Sequence, residues 1–280
     1  MSKLIDDVLT QLPLWLGKFT QSLTHPSEVL AEHMAAESGP KPVQDGTSFL
    51  ILSFALAAAL AIAFPVASME ALGSDKPQGA LAQSALVLRG IFVFLAAAAV
   101  AHGATRFLGS RAQFSASFGT LARFGGATLV LLALAGAITN IAMADPIVAR
   151  NWQELRQLSE AFALPMETVL CKLDPKTGQL PPGTDLGAFN PETLLKGQTL
   201  FLETVVRPMY LIATGLSVAI LSYLAVWLAW VWWRYLKAIG LSAPRAIAAT
   251  VIAVAGLAAG ELLLVLIDGG QMSSQLMQKC

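Results

Sequence analysis

The chain has 280 residues, of which 55% are hydrophobic and only 13% charged, and its formal net charge is zero. Soluble globular domains carry about 25% charged residues, so this composition excludes an ordinary soluble domain. The balanced charge gives no global basic excess of the kind that nucleic-acid-binding proteins show, so we expect no nucleic-acid partner.

The first 47 residues form an amphipathic arm and a linker. Apolar residues recur at spacings of three and four from Leu4 to Leu23, with Trp15 among them, which predicts a helix. This helix lies either along the cytoplasmic membrane surface or against the inner ends of the protein's own helices, and the periodicity does not separate the two. Residues 35–47 contain Gly39-Pro40 and Asp45-Gly46 and are predicted to be a linker.

Five apolar stretches follow between residues 48 and 267. A bilayer core of about 30 Å requires about 20 helical residues, and segments within it must satisfy their own backbone hydrogen bonds. The sequence therefore predicts an all-α, polytopic membrane protein with a five-helix transmembrane domain. The predicted spans cover residues 48–67, 84–105, 124–143, 209–230 and 246–267.

The distribution of lysine and arginine predicts which ends of the spans face the cytoplasm. The N-terminal arm, the segment between spans two and three and the segment between spans four and five each hold three basic residues, whereas the other short segments hold one. Cytoplasmic loops are enriched in these residues. We therefore expect a bacterial inner-membrane protein with a cytoplasmic N-terminus and a short external tail, residues 268–280. No cleavable signal peptide is recognisable at the N-terminus.

A long loop, residues 144–208, is predicted to lie outside and to hold two amphipathic helices. One covers about residues 150–163, and the second begins at Pro191, a favoured first helical residue. Cys171 and Cys280 both fall on the oxidising side, where they form a disulfide or remain two unrelated thiols. Nothing in the sequence has metal-ligand spacing, so no metal site is predicted.

Polar residues within the spans are candidates for function because they are costly in a bilayer. Arg89, Asn140 and Glu261 reach similar depths in the outer part of spans two, three and five. They are interpreted first as a structural ion pair with a neighbouring amide. The alternative is a transport or proton-relay site.

Aromatic residues crowd the cytoplasmic end of span four and are followed by Lys237. This arrangement is typical of an interfacial aromatic belt, and a cofactor-stacking role is less favoured. The belt comprises Trp227, Trp230, Trp232, Trp233 and Tyr235. Phosphate-binding glycine loops, nucleophile elbows and His-Glu-x-x-His motifs are missing from the sequence, so we expect neither catalytic residues nor a cofactor.

Three segments together suggest a family. They are residues 23–26 (LTHP), 107–118 (FLGSRAQFSASF) and 235–246 (YLKAIGLSAPRA). With five spans and a cytoplasmic N-terminus, the chain resembles the bacterial branch of the Yip (Ypt/Rab-interacting) membrane proteins over about residues 20–267. The acidic-aromatic N-terminal motifs of the eukaryotic members are missing, so Rab binding does not carry over. The external loop is also longer than is usual in the family.

The resemblance implies an integral membrane protein without assigned chemistry. We therefore expect a non-enzymatic scaffold or accessory subunit whose partners are membrane lipids and other membrane-protein subunits or a second copy of itself. The alternative is a small permease or channel that uses the polar cluster of Arg89, Asn140 and Glu261.

Overall fold

A computed structural model describes residues 2–35, 41–64, 80–172 and 191–260, and within these ranges every regular element is a helix. Side chains are described for residues 11–35, 43–64, 94–159, 172 and 192–260. The α-helices are α1 Ser2–Thr24, α2 Pro26–Ala35, α3 Lys41–Ala63, α4 Ala80–Phe107, α5 Phe114–Ile138, α6 Pro146–Lys172, α7 Pro191–Val205, α8 Pro208–Ala238 and α9 Ala243–Gly260, and a 3-10 helix covers Thr139–Ala144.

Four of the described helical segments are long and apolar enough to cross a membrane: Val43–Ala63, Phe114–Ala144, Pro208–Ala238 and Ala243–Gly260. They confirm an all-helical chain of the multi-pass membrane class. The second predicted span falls in α4, whose first half has no described side chains. The exact number of five spans therefore stays a prediction.

The chain divides into two compact units. The first unit comprises Met1–Ala63, Pro77–Ala135 and Val218–Ala259. Its core joins α1 and α2 of the arm to the helices that follow them. The buried apolar side chains of this core include Trp15, Val29, Leu30, Phe49, Phe124, Leu224, Trp227, Val231, Tyr235, Leu236 and Leu241.

Two glycines on α3 and α5 set the distance between these helices. A Cβ atom at Gly46 would lie 2.8 Å from the Gly119 Cα, so the two backbones are in direct contact. About two turns further along α5, a Cβ at Gly126 would lie 2.8 Å from the Ser53 hydroxyl and 3.0 Å from the Phe49 ring. Small residues are what allow membrane helices to approach so closely.

Helix α3 starts earlier than the sequence predicts. Residues 41–47, assigned above to the linker, form its first two turns. By sequence, the Asp45-Gly46 pair is typical of a turn. In the structure, Gly46 is needed for the contact with Gly119. Tertiary packing has overridden the local turn preference.

Helices α4 and α8 end in the same way, each followed by a turn that contains a glycine. In the turn of residues 108–113, Gly109 has φ +95°, and the Ser110 amide donates to the Thr105 carbonyl. In the turn of residues 239–242, Gly240 has φ +81°, and the Leu241 amide donates to the Leu236 carbonyl. Both are Schellman caps, in which glycine adopts the left-handed conformation that other residues avoid. We call these two segments the basic turns, after the residues that surround them.

The second unit comprises Phe64–Lys76, Gly136–Ser217 and Gly260–Cys280. Most of its described part is a helical hairpin of α6 and α7, in the segment predicted to be the long loop. The buried Asn151 amide donates to the Thr204 hydroxyl at 3.3 Å, and Lys196 pairs with Glu154 at 3.2 Å. These polar contacts hold α6 against α7.

The hairpin is longer than the sequence predicts. Helix α6 runs from Pro146 to Lys172 instead of covering about 150–163, whereas α7 begins at Pro191 as predicted. The earlier start of α6 has a local cause, because the Asp145 carboxylate accepts a hydrogen bond from the Ile147 amide at 2.9 Å. This is N-capping by a favoured residue, with proline at the first helical position.

The contact between α3 and α5 gives the first prediction. We expect Gly46→Ala to lower the free energy of unfolding by about 1–3 kcal/mol, because the new methyl group forces two packed backbones apart. Thermal unfolding of the purified protein in detergent measures the loss. Gly103→Ala is the matched control, since a Cβ at this helical position meets no atom within 4 Å. Equal melting temperatures for the two variants would contradict the contact.

Candidate functional site

A buried arginine is the most unusual polar feature of the first unit. Arg123 lies on α5, inside a segment apolar enough to cross a membrane, and only 1% of its surface is exposed. Burying an ion costs several kcal/mol unless partners replace its hydration shell. Charged residues at such positions are candidates for function by default.

The partners of Arg123 come mainly from the N-terminal arm. Its Nε donates to the Ser22 hydroxyl at 3.0 Å, and its Nη2 donates to the Gln21 side-chain oxygen at 2.8 Å and to the Lys18 carbonyl at 3.2 Å. Its Nη1 donates to the Asp45 carboxylate at 3.2 Å. The guanidinium fork can serve such a set because its donors point in fixed, separate directions.

Asp45 is the acidic centre of this network. Besides Arg123, its carboxylate pairs with the Lys18 ammonium group and lies 3.8 Å from Nε2 of His33. His33 is itself buried, and its Nδ1 lies 3.2 Å from the Thr120 hydroxyl on α5. One carboxylate on α3 thus connects side chains from α1, α2 and α5. We call Lys18, Ser22, His33, Asp45 and Arg123 the arginine clamp.

Aromatic rings close the clamp on its apolar side. The Arg123 guanidinium lies 5.6 Å from the centre of the Phe49 ring, within cation–π range. Phe49 stacks on Trp15 with centroids 5.7 Å apart, and the Trp15 indole donates to the Ser53 hydroxyl at 2.9 Å. The α1 helix is therefore fastened to α3 by both apolar and polar contacts.

These contacts distinguish between the two predicted placements of the N-terminal arm. Trp15 is only 5% exposed, which favours packing against the protein's own helices over free attachment to a membrane surface. On either side of Trp15, α1 also carries Leu12, Leu14 and Leu16, which are 43%, 69% and 55% exposed. The arm is thus docked through Trp15 and leaves neighbouring apolar side chains exposed.

The predicted polar cluster stays a prediction. The side chain of Arg89 and the whole of Glu261 lie outside the described residues, as do the Cys171 side chain and Cys280. Asn140 is described: it belongs to the 3-10 helix after α5, and its amide donates to the Ala137 carbonyl at 3.3 Å. This bond is local and uses a single amide proton.

The predicted aromatic belt divides into core and surface residues. Trp227 and Tyr235 are buried in the core, so they do not form a surface belt. Trp232 is half-buried and donates to the Thr250 hydroxyl at 2.9 Å. Trp230 and Trp233 are exposed, and their ring centres lie 5.7 Å and 5.2 Å from the charged groups of Arg234 and Lys237 respectively, within cation–π range.

Local sequence patterns do not reveal the arginine clamp. By sequence, Arg123 is one of the basic residues that indicate the orientation of the spans, and Asp45 lies in a segment interpreted as a linker. One signal was available: Gly119, Ala122 and Gly126 accompany Arg123 on one side of a helix, which indicates close packing around the charge. The partner residues are 78 to 105 positions away in sequence, and no periodicity connects them to α5.

No family model, no curated protein and no solved structure matches this chain.

The clamp gives the second prediction. We expect Asp45→Asn to lower the free energy of unfolding by about 2–3 kcal/mol, because it leaves a buried guanidinium with a neutral partner. Thermal unfolding and proteolysis of the arm measure the loss of stability and the release of α1. Glu203→Gln is the control, since it breaks an i,i+4 pair with Arg207 at 3.1 Å that is much more exposed and is expected to cost well under about 1 kcal/mol. If Asp45→Asn were as stable as Glu203→Gln, the clamp would not anchor the N-terminal arm.

Proposed function

We propose that this chain is a non-enzymatic integral membrane protein that acts as a scaffold or accessory subunit of a membrane complex. The observation that carries the proposal is the docking of the N-terminal arm by the arginine clamp. A helix fixed through Trp15 that leaves Leu12, Leu14 and Leu16 exposed is a preformed binding surface. Preorganisation of this kind lowers the entropic cost of binding a partner.

The composition of the clamp supports a structural role for its buried charge. All three nitrogens of the Arg123 guanidinium donate to groups of its own chain, at 2.8–3.2 Å. A buried charge held by that many partners fixes the relative positions of the helices that supply them. We infer that Arg123 holds the arm in place and does not move a solute.

We further propose the bacterial inner membrane as the location, with the N-terminus and the basic turns in the cytoplasm. The basic residues at these turns support the orientation. The loose resemblance of residues 23–26, 107–118 and 235–246 to Yip proteins is in keeping with a membrane protein without chemistry of its own. Rab binding is not part of the proposal.

Site-specific crosslinking tests the scaffold. A photoreactive amino acid at Leu14 is expected to capture a defined partner protein, or a second copy of the chain, in native membranes. The control is the same amino acid at Trp15, which should react only within the chain because this position is buried against α3. Crosslinks from Leu14 to lipid alone would overturn the proposal.

The permease alternative has its own test. Single cysteines at positions 89, 140 and 261, in a chain whose native cysteines are replaced, report whether these residues line a water-accessible path. We expect all three to be protected from a membrane-impermeant thiol reagent. Rapid modification of all three sites, blocked by a common solute, would favour the permease.

A further inference from the structure

A cavity of about 380 Å³ opens at the basic turns of the first unit. Its walls come from three separate parts of the chain: the end of α2, the turn between α4 and α5 with the first turn of α5, and the turn between α8 and α9. The lining side chains include Met34, Arg111, Gln113, Ala116 and Ile239. None of these residues belongs to the arginine clamp.

Arg111 is the charged residue of the cavity wall. Its side chain is exposed and, within the described part of the chain, forms neither a hydrogen bond nor an ion pair. The Arg245 guanidinium reaches the same turn, 3.5 Å from where a Cβ on Gly109 would lie. Arg111 in the cavity wall and Arg245 on α9 therefore both lie at the turn of residues 108–113. A guanidinium binds phosphate oxygens in a bidentate manner.

The charge around the cavity is predominantly positive. Residues 94–138 and 218–260 contain six basic residues and neither aspartate nor glutamate. The single ion pair among the described partners of these six residues is that of Arg123 with Asp45. Glu28 and Glu32 on the adjacent α2 are exposed, and neither pairs with Arg111 in the described structure. The positive potential at the cavity is thus left for an external anion.

Helix α8, whose last residue Ala238 lines the cavity, exposes aromatic side chains in the turns before it. On α8, Trp230 and Trp233 are exposed beside Arg234 and Lys237. An anion that binds here with an acyl chain attached would find a basic pocket for its head and the exposed aromatic rings of α8 for its tail.

We propose that this cavity binds the phosphate headgroup of an anionic phospholipid. Basic pockets between membrane helices on the cytoplasmic side are suited to such headgroups. The combination of a cavity, an unpaired arginine and exposed tryptophans on the adjoining helix α8 favours a lipid over free phosphate. The site is independent of the scaffold proposal, since it uses neither the clamp nor the exposed face of α1.

Native mass spectrometry of the full-length protein in detergent tests the site. Phosphatidylglycerol is titrated against the wild type and three variants, with phosphatidylcholine as the neutral lipid and inorganic phosphate as a competitor. Each basic side chain near an anionic headgroup contributes about fivefold in affinity. We expect the wild type to prefer phosphatidylglycerol, and Arg111→Gln to lose about fivefold of that affinity.

Two further variants separate the cavity from general surface charge. Ala238→Phe keeps every charge but fills the cavity from an exposed position on its wall, and it is expected to lose phosphatidylglycerol binding. Arg150→Gln removes one exposed charge from the second unit and is expected to bind like the wild type. Melting temperatures verify that each variant is folded.

Retention of full affinity by Arg111→Gln or by Ala238→Phe would overturn the proposal, as would an equal loss in Arg150→Gln. Displacement of phosphatidylglycerol by millimolar inorganic phosphate would overturn the assignment to a lipid and leave free phosphate as the ligand.

Discussion

The cost of burying the Arg123 guanidinium is the constraint on which the first unit depends. A charge with 1% exposure in an apolar helix is stable only if other groups replace water around it. The described hydrogen-bond partners of Arg123 all lie outside α5. They come from Asp45 on α3 and from Gln21 and Ser22 on α1. The position of the arm is therefore a consequence of the charge.

Close packing makes this arrangement geometrically possible. A carboxylate at position 45 reaches Arg123 because Gly46 lets α3 touch the backbone of α5 at Gly119. The same approach places Phe49 beside the guanidinium, where its ring contributes a cation–π contact. Gly46 and Asp45, which are adjacent in sequence, thus act together. Gly46 sets the distance between α3 and α5, and Asp45 reaches Arg123 because that distance is short.

The second unit is organised by polar contacts of a different kind. Asn151 and Thr204 are buried and bond to each other, and Glu154 and Lys196 pair across the same two helices. The hairpin leaves large apolar side chains of α7 exposed, among them Leu195 and Leu202. Such a face suits a lipid headgroup region or a neighbouring subunit.

Much of the fold could be predicted from local pattern alone. Apolar length set the class of the protein, helical periodicity set the arm, and Pro191 marked the start of α7, because each of these depends on neighbouring residues along one helix. The candidate site could not be found in this way. By sequence, Asp45 is typical of a turn, but in the structure it pairs with Arg123. Trp227 and Tyr235 are typical of an interfacial belt by sequence, but in the structure they are buried in the core.

The sequence by itself determined that this chain is an all-helical protein of the multi-pass membrane class, since the length and apolarity of a helix require no knowledge of its neighbours. Only the tertiary structure decided which polar residues matter. Arg123 and Asp45 lie 78 positions apart, and their contact exists because α3 and α5 pack at a pair of glycines. The cavity beside Arg111 likewise exists only where three distant segments meet.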